Sequence, residues 1–90
     1  MPDVHFVYMV RCADGTLYTG YTRDLQRRER AHNNGLGAKY TAPRRPVALV
    51  YSEKCRSLSA ALRRECELKG LSRAAKERLV RLTPDTMFGG

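Results

Sequence analysis

Residues 6–21 read Phe6-Val7-Tyr8-Met9-Val10-Arg11-Cys12-Ala13-Asp14-Gly15-Thr16-Leu17-Tyr18-Thr19-Gly20-Tyr21. Two short apolar runs flank an Asp-Gly pair, the composition of a tight reversal, so the segment is expected to form a β-hairpin. Loop length decides what this hairpin presents. A two-residue Asp14-Gly15 loop would pair Ala13 with Thr16 and Tyr8 with Tyr21, placing Tyr8 and Tyr18 on opposite faces. A three-residue loop, Ala13-Asp14-Gly15, would pair Cys12 with Thr16, Val10 with Tyr18 and Tyr8 with Gly20. Both tyrosines then share a face, and Gly20 leaves room beside Tyr8.

Strand tyrosines are ordinarily packing residues, and it is the sequel that gives these two a different meaning. Thr22 through His32 reads as a helix that begins directly after the second run, with Thr22 or Asp24 as its N-cap. At about 100° per residue, Arg28 and His32 fall on the same side as Leu25, the side that should pack on the sheet. An arginine beside the anchor leucine is odd for a purely structural helix. A second oddity lies in Ser57 to Gly70, a helix with a Ser N-cap and a Gly C-cap signal. Its apolar stripe is expected to comprise Leu58, Ala61, Leu62, Cys66 and Leu68, and Glu65 falls inside that stripe. Carboxylates are rarely buried unless paired or bound to metal, so Glu65 is either salt-bridged to a core-facing arginine or a metal-binding or catalytic group.

The chain has 90 residues, enough for one domain with a small core. Its 17 Lys and Arg against 9 Asp and Glu give a net charge of +8, which favours a polyanionic partner, nucleic acid before anionic membrane. Apolar runs reach only about five residues, against roughly 20 for a membrane span. The amino-terminal Met1-Pro2-Asp3-Val4-His5 lacks the basic and apolar regions of a signal peptide. Cys12, Cys55 and Cys66 are odd in number and lack Cys-x-x-Cys spacing, which argues against a disulfide framework or a zinc site. A cytoplasmic protein with reduced thiols is the simplest expectation.

Between Asn33 and Pro46 the Gly and Pro punctuation marks a loop. Lys39, Tyr40, Arg44 and Arg45 make it a candidate surface for phosphate contact and base stacking, joined by Arg27 and other basic groups of the first helix. A simple solvated loop has the same composition. Val47-Ala48-Leu49-Val50-Tyr51 does not alternate, so a third strand, central or well covered, is expected there. Ser72 caps a last helix, Arg73 to Leu82, with Ala75, Leu79 and Leu82 inward, and residues 83–90 read as a poorly ordered tail.

Phe6-Val7-Tyr8, Tyr18-Thr19-Gly20, Arg28, His32 and Glu65, taken in order, resemble the GIY-YIG nuclease domain over nearly the whole chain, Val4 to Leu82. Within that family the chain is similar to the short stand-alone bacterial type. Tyr18 through Gly35 and Gly37-Ala38-Lys39-Tyr40-Thr41 also resemble the domain of eukaryotic structure-specific nucleases. Single triplets are weak signals. The ordered set, with Arg28 ten and His32 fourteen residues after Tyr18, is strong. Phe6 replaces the glycine of the first triplet, and Thr19 the isoleucine of the second.

The resemblance implies an α/β (α+β) fold, a small three-stranded antiparallel sheet packed between helices in the order β-β-α-β-α-α, as a single domain over residues 1–82. It implies a DNA endonuclease dependent on Mg²⁺ or Mn²⁺, with DNA repair or recombination as its setting. Glu65 would hold the metal, because Mg²⁺ keeps waters and takes phosphate oxygens as further ligands. Arg28 would grip the scissile phosphate. Tyr8 and Tyr18 would position or deprotonate the attacking water, and His32 would assist proton transfer or hydrogen-bond a tyrosine. That role requires the three-residue hairpin loop or an equivalent bulge. No attached DNA-recognition module is expected, so target choice would come from DNA shape, from a protein partner, or from nothing specific. The competing expectation is a nucleic-acid-binding domain with little activity alone.

Overall fold

The computed structural model describes residues 4–82. Residues 1–3 and 83–90, including the expected tail, lie outside the described residues. The elements are β1 (His5–Arg11), β2 (Leu17–Thr22), α1 (Leu25–Asn33), a short 3₁₀ turn (Ala42–Arg44), β3 (Ala48–Cys55), α2 (Leu58–Lys69) and α3 (Arg73–Leu82). The three strands form one antiparallel sheet in the order β2-β1-β3, so the expected β-β-α-β-α-α order and three-stranded sheet are found.

The hairpin closes through the three-residue loop. Cys12 N–H donates to the Thr16 carbonyl at 2.8 Å, and Gly15 N–H donates to the Cys12 carbonyl at 2.9 Å. Gly15 sits at φ +88°, a left-handed conformation that costs glycine nothing. The Asp14 carboxylate braces the turn by accepting from the Thr16 N–H at 3.1 Å and the Thr16 hydroxyl at 2.6 Å. Val10 therefore pairs with Tyr18 and Tyr8 with Gly20, and strand alternation puts both tyrosines on one face.

Two small cores follow from the same alternation. Val7 and Met9 point to one face, where they pack with Tyr51, Ala61 and Leu68, so α2 lies on that side. Leu79 and Val80 of α3 close its margin. Tyr8 and Val10 point to the other face, with Cys12 and Val47, and Tyr18, Leu25 and Leu49 pack around them. That side belongs to α1. Helix α1 starts at Asp24, one of the two expected caps, whose carboxylate accepts from the Arg27 N–H at 3.0 Å. Ser57 caps α2 through the Ala60 N–H, and the Ser72 hydroxyl accepts from Ala75 N–H at the start of α3.

Three expectations need correction. The central strand is β1, and β3 flanks it at the sheet edge. Its lack of alternation reflects a register shift opposite Met9 and Val10, which gives Leu49 to one core and both Val50 and Tyr51 to the other. The buried stripe of α2 runs through Ala61 and Leu68, with Arg64 and Glu65 half-buried between them. Leu58, Leu62 and Cys66 are exposed. The expected stripe is about one position off because Leu looks more like a core residue than Arg64 does. Arg64 belongs inside because it clamps Glu53 of β3, Nε at 2.9 Å and Nη2 at 3.0 Å, while the Tyr51 hydroxyl donates to the same carboxylate. In α3 Val80 packs inward, and Leu82, expected inside, is 72% exposed.

A Cβ at Gly20 would stand 2.5 Å from the Tyr8 hydroxyl oxygen and 2.7 Å from its Cζ. The Tyr8 ring is buried and cannot swing away. Gly20→Ala should therefore destabilise the protein by about 1–3 kcal/mol, the usual cost of overpacking, in chemical denaturation. Unchanged stability would show that Tyr8 is not held against β2.

Candidate active site

Tyr8 is 1% exposed and His32 is completely buried, yet both are polar. Buried polar atoms need partners, and the partners here form one chain. Arg28 Nε donates to the Tyr8 hydroxyl at 3.3 Å. The Tyr8 hydroxyl lies 2.7 Å from His32 Nε2, and His32 Nδ1 lies 2.7 Å from the Thr41 hydroxyl, which is 3.2 Å from the Ala38 carbonyl. Thr41 is completely buried. Helix α1 supplies Arg28 and His32 one turn apart on its inner side, the central strand supplies Tyr8, and the turn after α1 supplies Thr41.

Glycine brings the turn close enough. A Cβ on Gly37 would overlap the His32 ring, 2.5 Å from its Cγ. The same close passage lets the Gly37 carbonyl accept from Arg28 Nη2 at 2.7 Å, which fixes the guanidinium against Tyr8. Arg28 also lines an open cleft with Thr22, Asp24, Arg27 and Ala31. Two guanidiniums in one concavity suit an anion such as phosphate.

The two tyrosines occupy different positions. Tyr18 is half-buried, its ring edge-on to His32 with centroids 5.4 Å apart and stacked on Tyr40 at 5.9 Å. Tyr8 has the acid–base partners, and Tyr18 has the access. Burial pushes the Tyr8 phenol above its ordinary value, and the Glu65 charge pushes it the same way, although Arg28 opposes both. Burial, reinforced by the Arg28 charge, pulls His32 below the usual histidine range. A depressed histidine beside a phenol is a neutral proton acceptor at pH 7.

Glu65 has a side chain 17% exposed. Its charge reaches Tyr8, but its ion-pair partner is Lys69, at 3.0 Å one turn along α2, and no hydrogen bond joins it to Tyr8, Tyr18, Arg28 or His32 among the described residues. The expected core-facing arginine is thus replaced by an exposed lysine. No group of three or more potential metal ligands occurs among the described residues.

The basic loop is tethered, which its composition does not suggest. Arg44 donates to Asp14 at 3.0 Å and to the Tyr40 carbonyl at 2.8 Å, with its guanidinium 3.9 Å from the Tyr40 ring centroid. Arg45 donates to the Ala42 carbonyl at 2.7 Å. Lys39 and Arg27 are exposed and sit nearer to free surface cations. Sequence reasoning does not single out Thr41 and Gly37 as contributors. Their signal is weak, since a threonine and a glycine in a Gly-rich loop look like ordinary turn residues.

The chain has relatives among known proteins. The GIY-YIG catalytic domain matches residues 4–78. The chain belongs to the GIY-YIG family. GIY-YIG relatives include a UPF0213 protein of Staphylococcus aureus, 54% identical over 79 residues, covering 88% of this chain and 96% of the relative. Another, from Staphylococcus saprophyticus, is 54% identical over 78 residues, covering 87% and 95%. Among solved structures, the NMR structure of a UPF0213 protein from Bacillus halodurans matches with a TM-score of 0.60 and 46% identity, over 94% of this chain and 90% of that one. An E. faecalis protein gives the same TM-score at 42% identity, over 88% and 84%. GIY-YIG membership supports a nuclease-type function and nucleic-acid binding. No helix among the described residues is long and apolar enough to cross a membrane.

The depressed His32 has a measurable consequence. Its folded-state pKa lies below the unfolded value of about 6.5, so its contribution to stability is present above that value. That contribution is lost as pH falls through the folded value, because the unfolded chain binds the proton first. Following the His32 ring by NMR during an acid titration should show a midpoint below 6.5 and a parallel loss of stability. A midpoint at or above 6.5 would contradict the buried, neutral assignment.

Proposed function

We propose that this protein is a divalent-metal-dependent DNA endonuclease that hydrolyses phosphodiester bonds. The observation that carries the reading is the contact between Arg28, facing an open cleft, and a buried tyrosine whose hydroxyl meets a neutral histidine. The guanidinium would hold the scissile phosphate and stabilise the charge that builds on its oxygens. As water attacks at the Arg28 edge of the cleft, the Tyr8 oxygen would take the water's proton while its own hydrogen passes to His32 Nε2, so that no free phenolate has to form. The water oxygen bonds to phosphorus, the P–O ester bond breaks, the leaving oxygen takes a proton from solvent to become a hydroxyl, and His32 returns its extra proton to solvent through Tyr8. Tyr18, on the same face and more accessible, would orient the water.

Glu65 is the residue for Mg²⁺ or Mn²⁺. A largely shielded carboxylate, paired among the described residues only with an exposed lysine, fits a cation that keeps several waters and completes its shell with phosphate oxygens. Such an ion, when bound, supplies positive charge to the phosphate and the leaving oxygen. DNA affinity would come mainly from exposed Arg27 and Lys39, with Arg44 and Arg45 contributing where phosphate replaces their internal partners and Tyr40 offering a ring edge to bases. A cytoplasmic setting in DNA repair or recombination, with a protein partner supplying target specificity, fits a basic domain this small. The pairing of Glu65 with Lys69 favours a second reading, a GIY-YIG domain that binds nucleic acid and cleaves little alone.

Incubation with branched, nicked and linear DNA, with and without Mg²⁺, separates the two readings. Wild-type protein should cleave only with the metal. Glu65→Ala should abolish cleavage while remaining folded, since it removes a charge rather than a packing group. DNA binding by a wild type that cleaves neither with nor without metal would favour the second reading. Arg28→Ala should lose cleavage far more than binding, because its grip strengthens as charge builds on the phosphate. Arg27→Ala and Lys39→Ala should weaken binding and reduce the salt slope of log K by about 0.7–0.9 for each phosphate that is no longer neutralised. Equal loss of binding and cleavage in all three variants would make Arg28 an ordinary phosphate anchor.

A further inference from the structure

We infer that Thr41 is a positioning residue for the proposed reaction: it sets the His32 tautomer and thereby the direction in which the Tyr8 proton can move. This deepens the nuclease reading and rests on it for the catalytic consequence, but the tautomer itself is independent of any activity. The two ends of the buried chain are one-way groups. Arg28 can only donate, and the Ala38 carbonyl can only accept. Between them lie three groups that can do either, namely the Tyr8 hydroxyl, the His32 ring and the Thr41 hydroxyl.

Both ends favour the same choice. At the upper end the Tyr8 oxygen accepts from Arg28 Nε, and its own hydrogen has His32 Nε2 within 2.7 Å as acceptor. At the lower end the Thr41 hydroxyl donates to the Ala38 carbonyl at 3.2 Å, beside the Ala42 N–H at 3.1 Å, which leaves the Thr41 oxygen to accept from His32 Nδ1–H at 2.7 Å. The assignments meet in one tautomer, with the hydrogen on Nδ1 and Nε2 bare and turned to the phenol. The opposite tautomer would put Nε2–H and Arg28 N–H both on the Tyr8 oxygen. The Tyr8 hydrogen would then be left without this acceptor inside the protein.

Complete burial of Thr41 and His32 makes the constraint costly to break, because water cannot supply a substitute partner. Thr41 is not among the residues lining the cleft, and its hydroxyl bonds to His32 and to the Ala38 carbonyl, so it acts through His32. When the phenol gives up its proton, His32 carries one hydrogen on each nitrogen, and Thr41 still accepts the one on Nδ1. The threonine therefore serves the ring in both protonation states.

Nitrogen-15 correlation NMR of the wild-type His32 ring gives the direct test, independent of cleavage. The ring should be protonated on Nδ1 at pH 7, and protonation on Nε2 would overturn the inference. Thr41→Val keeps shape and removes the acceptor, so it should move the hydrogen to Nε2 and lower kcat by on the order of 10²-fold, with DNA affinity unchanged. Thr41→Ser restores the oxygen and should restore both the Nδ1 signature and kcat. If Thr41→Val keeps the wild-type tautomer and rate, Thr41 is only a packing residue. If Thr41→Val fails to fold, Thr41→Ser and the wild-type spectrum still decide the matter. A correct tautomer in a protein that cleaves no DNA would fault the nuclease reading, and the catalytic role with it, and leave the tautomer assignment intact.

Discussion

The hydrogen bond between the Tyr8 hydroxyl and His32 Nε2 joins the central strand to the inner side of α1, and the site is built around it. It requires a phenol and an imidazole with complementary roles in a place that excludes water, where an unmatched pair would cost several kcal/mol. The rest of the neighbourhood satisfies that requirement. The three-residue hairpin turn sets the register that aims Tyr8 at α1, and Gly20 gives the phenol its space. Gly37 lets the following turn pass close to the histidine, and Thr41 completes its hydrogen bonding. Low dielectric strengthens these bonds and raises the penalty for a missing member, so the elements are mutually dependent.

The opposite face of the sheet performs a different task. Arg64 clamps Glu53 on β3, and Tyr51 donates to the same carboxylate, with burial and that contact pushing its phenol up to about 12. Burial alone would raise Glu53, but the hydrogen bonds from Arg64 and Tyr51 outweigh it and leave the carboxylate below its ordinary value. This clamp sets the rotation of α2, and the residue after Arg64 is Glu65. A structural ion pair on one position therefore orients the candidate metal ligand on the next. At the other end, Arg11 holds Glu77 of α3 through two bonds of 2.6 and 2.7 Å, tying the last helix to the hairpin.

Much of this is legible in the sequence because it depends on local chemistry. Asp14-Gly15 announces the turn, Asp24 and Ser57 announce helix starts, and the Leu25, Arg28, His32 spacing announces a polar group on a packing face. The hairpin register narrows to two choices, and the one that places both tyrosines together is the one found. What is not legible depends on partners far away in sequence. Arg64 looks like a surface residue until Glu53 lies beneath it, so the α2 stripe is misassigned to Leu58 and Leu62. The Asp14–Arg44 pair spans the hairpin and the later turn, and only their apposition converts a loose basic loop into a tethered one. Thr41 carries no signal until a histidine nitrogen faces it.

The central claim is that Tyr8 and His32 act as one unit in the chemistry. Single-turnover cleavage by Tyr8→Phe, His32→Ala and the double variant at saturating DNA measures this directly. Residues that work as a unit lose their contribution once, so the double variant should be no slower than the slower single variant. Losses that multiply in the double variant would mean that the two residues contribute independently, and the buried Tyr8–His32 bond would then be structural alone.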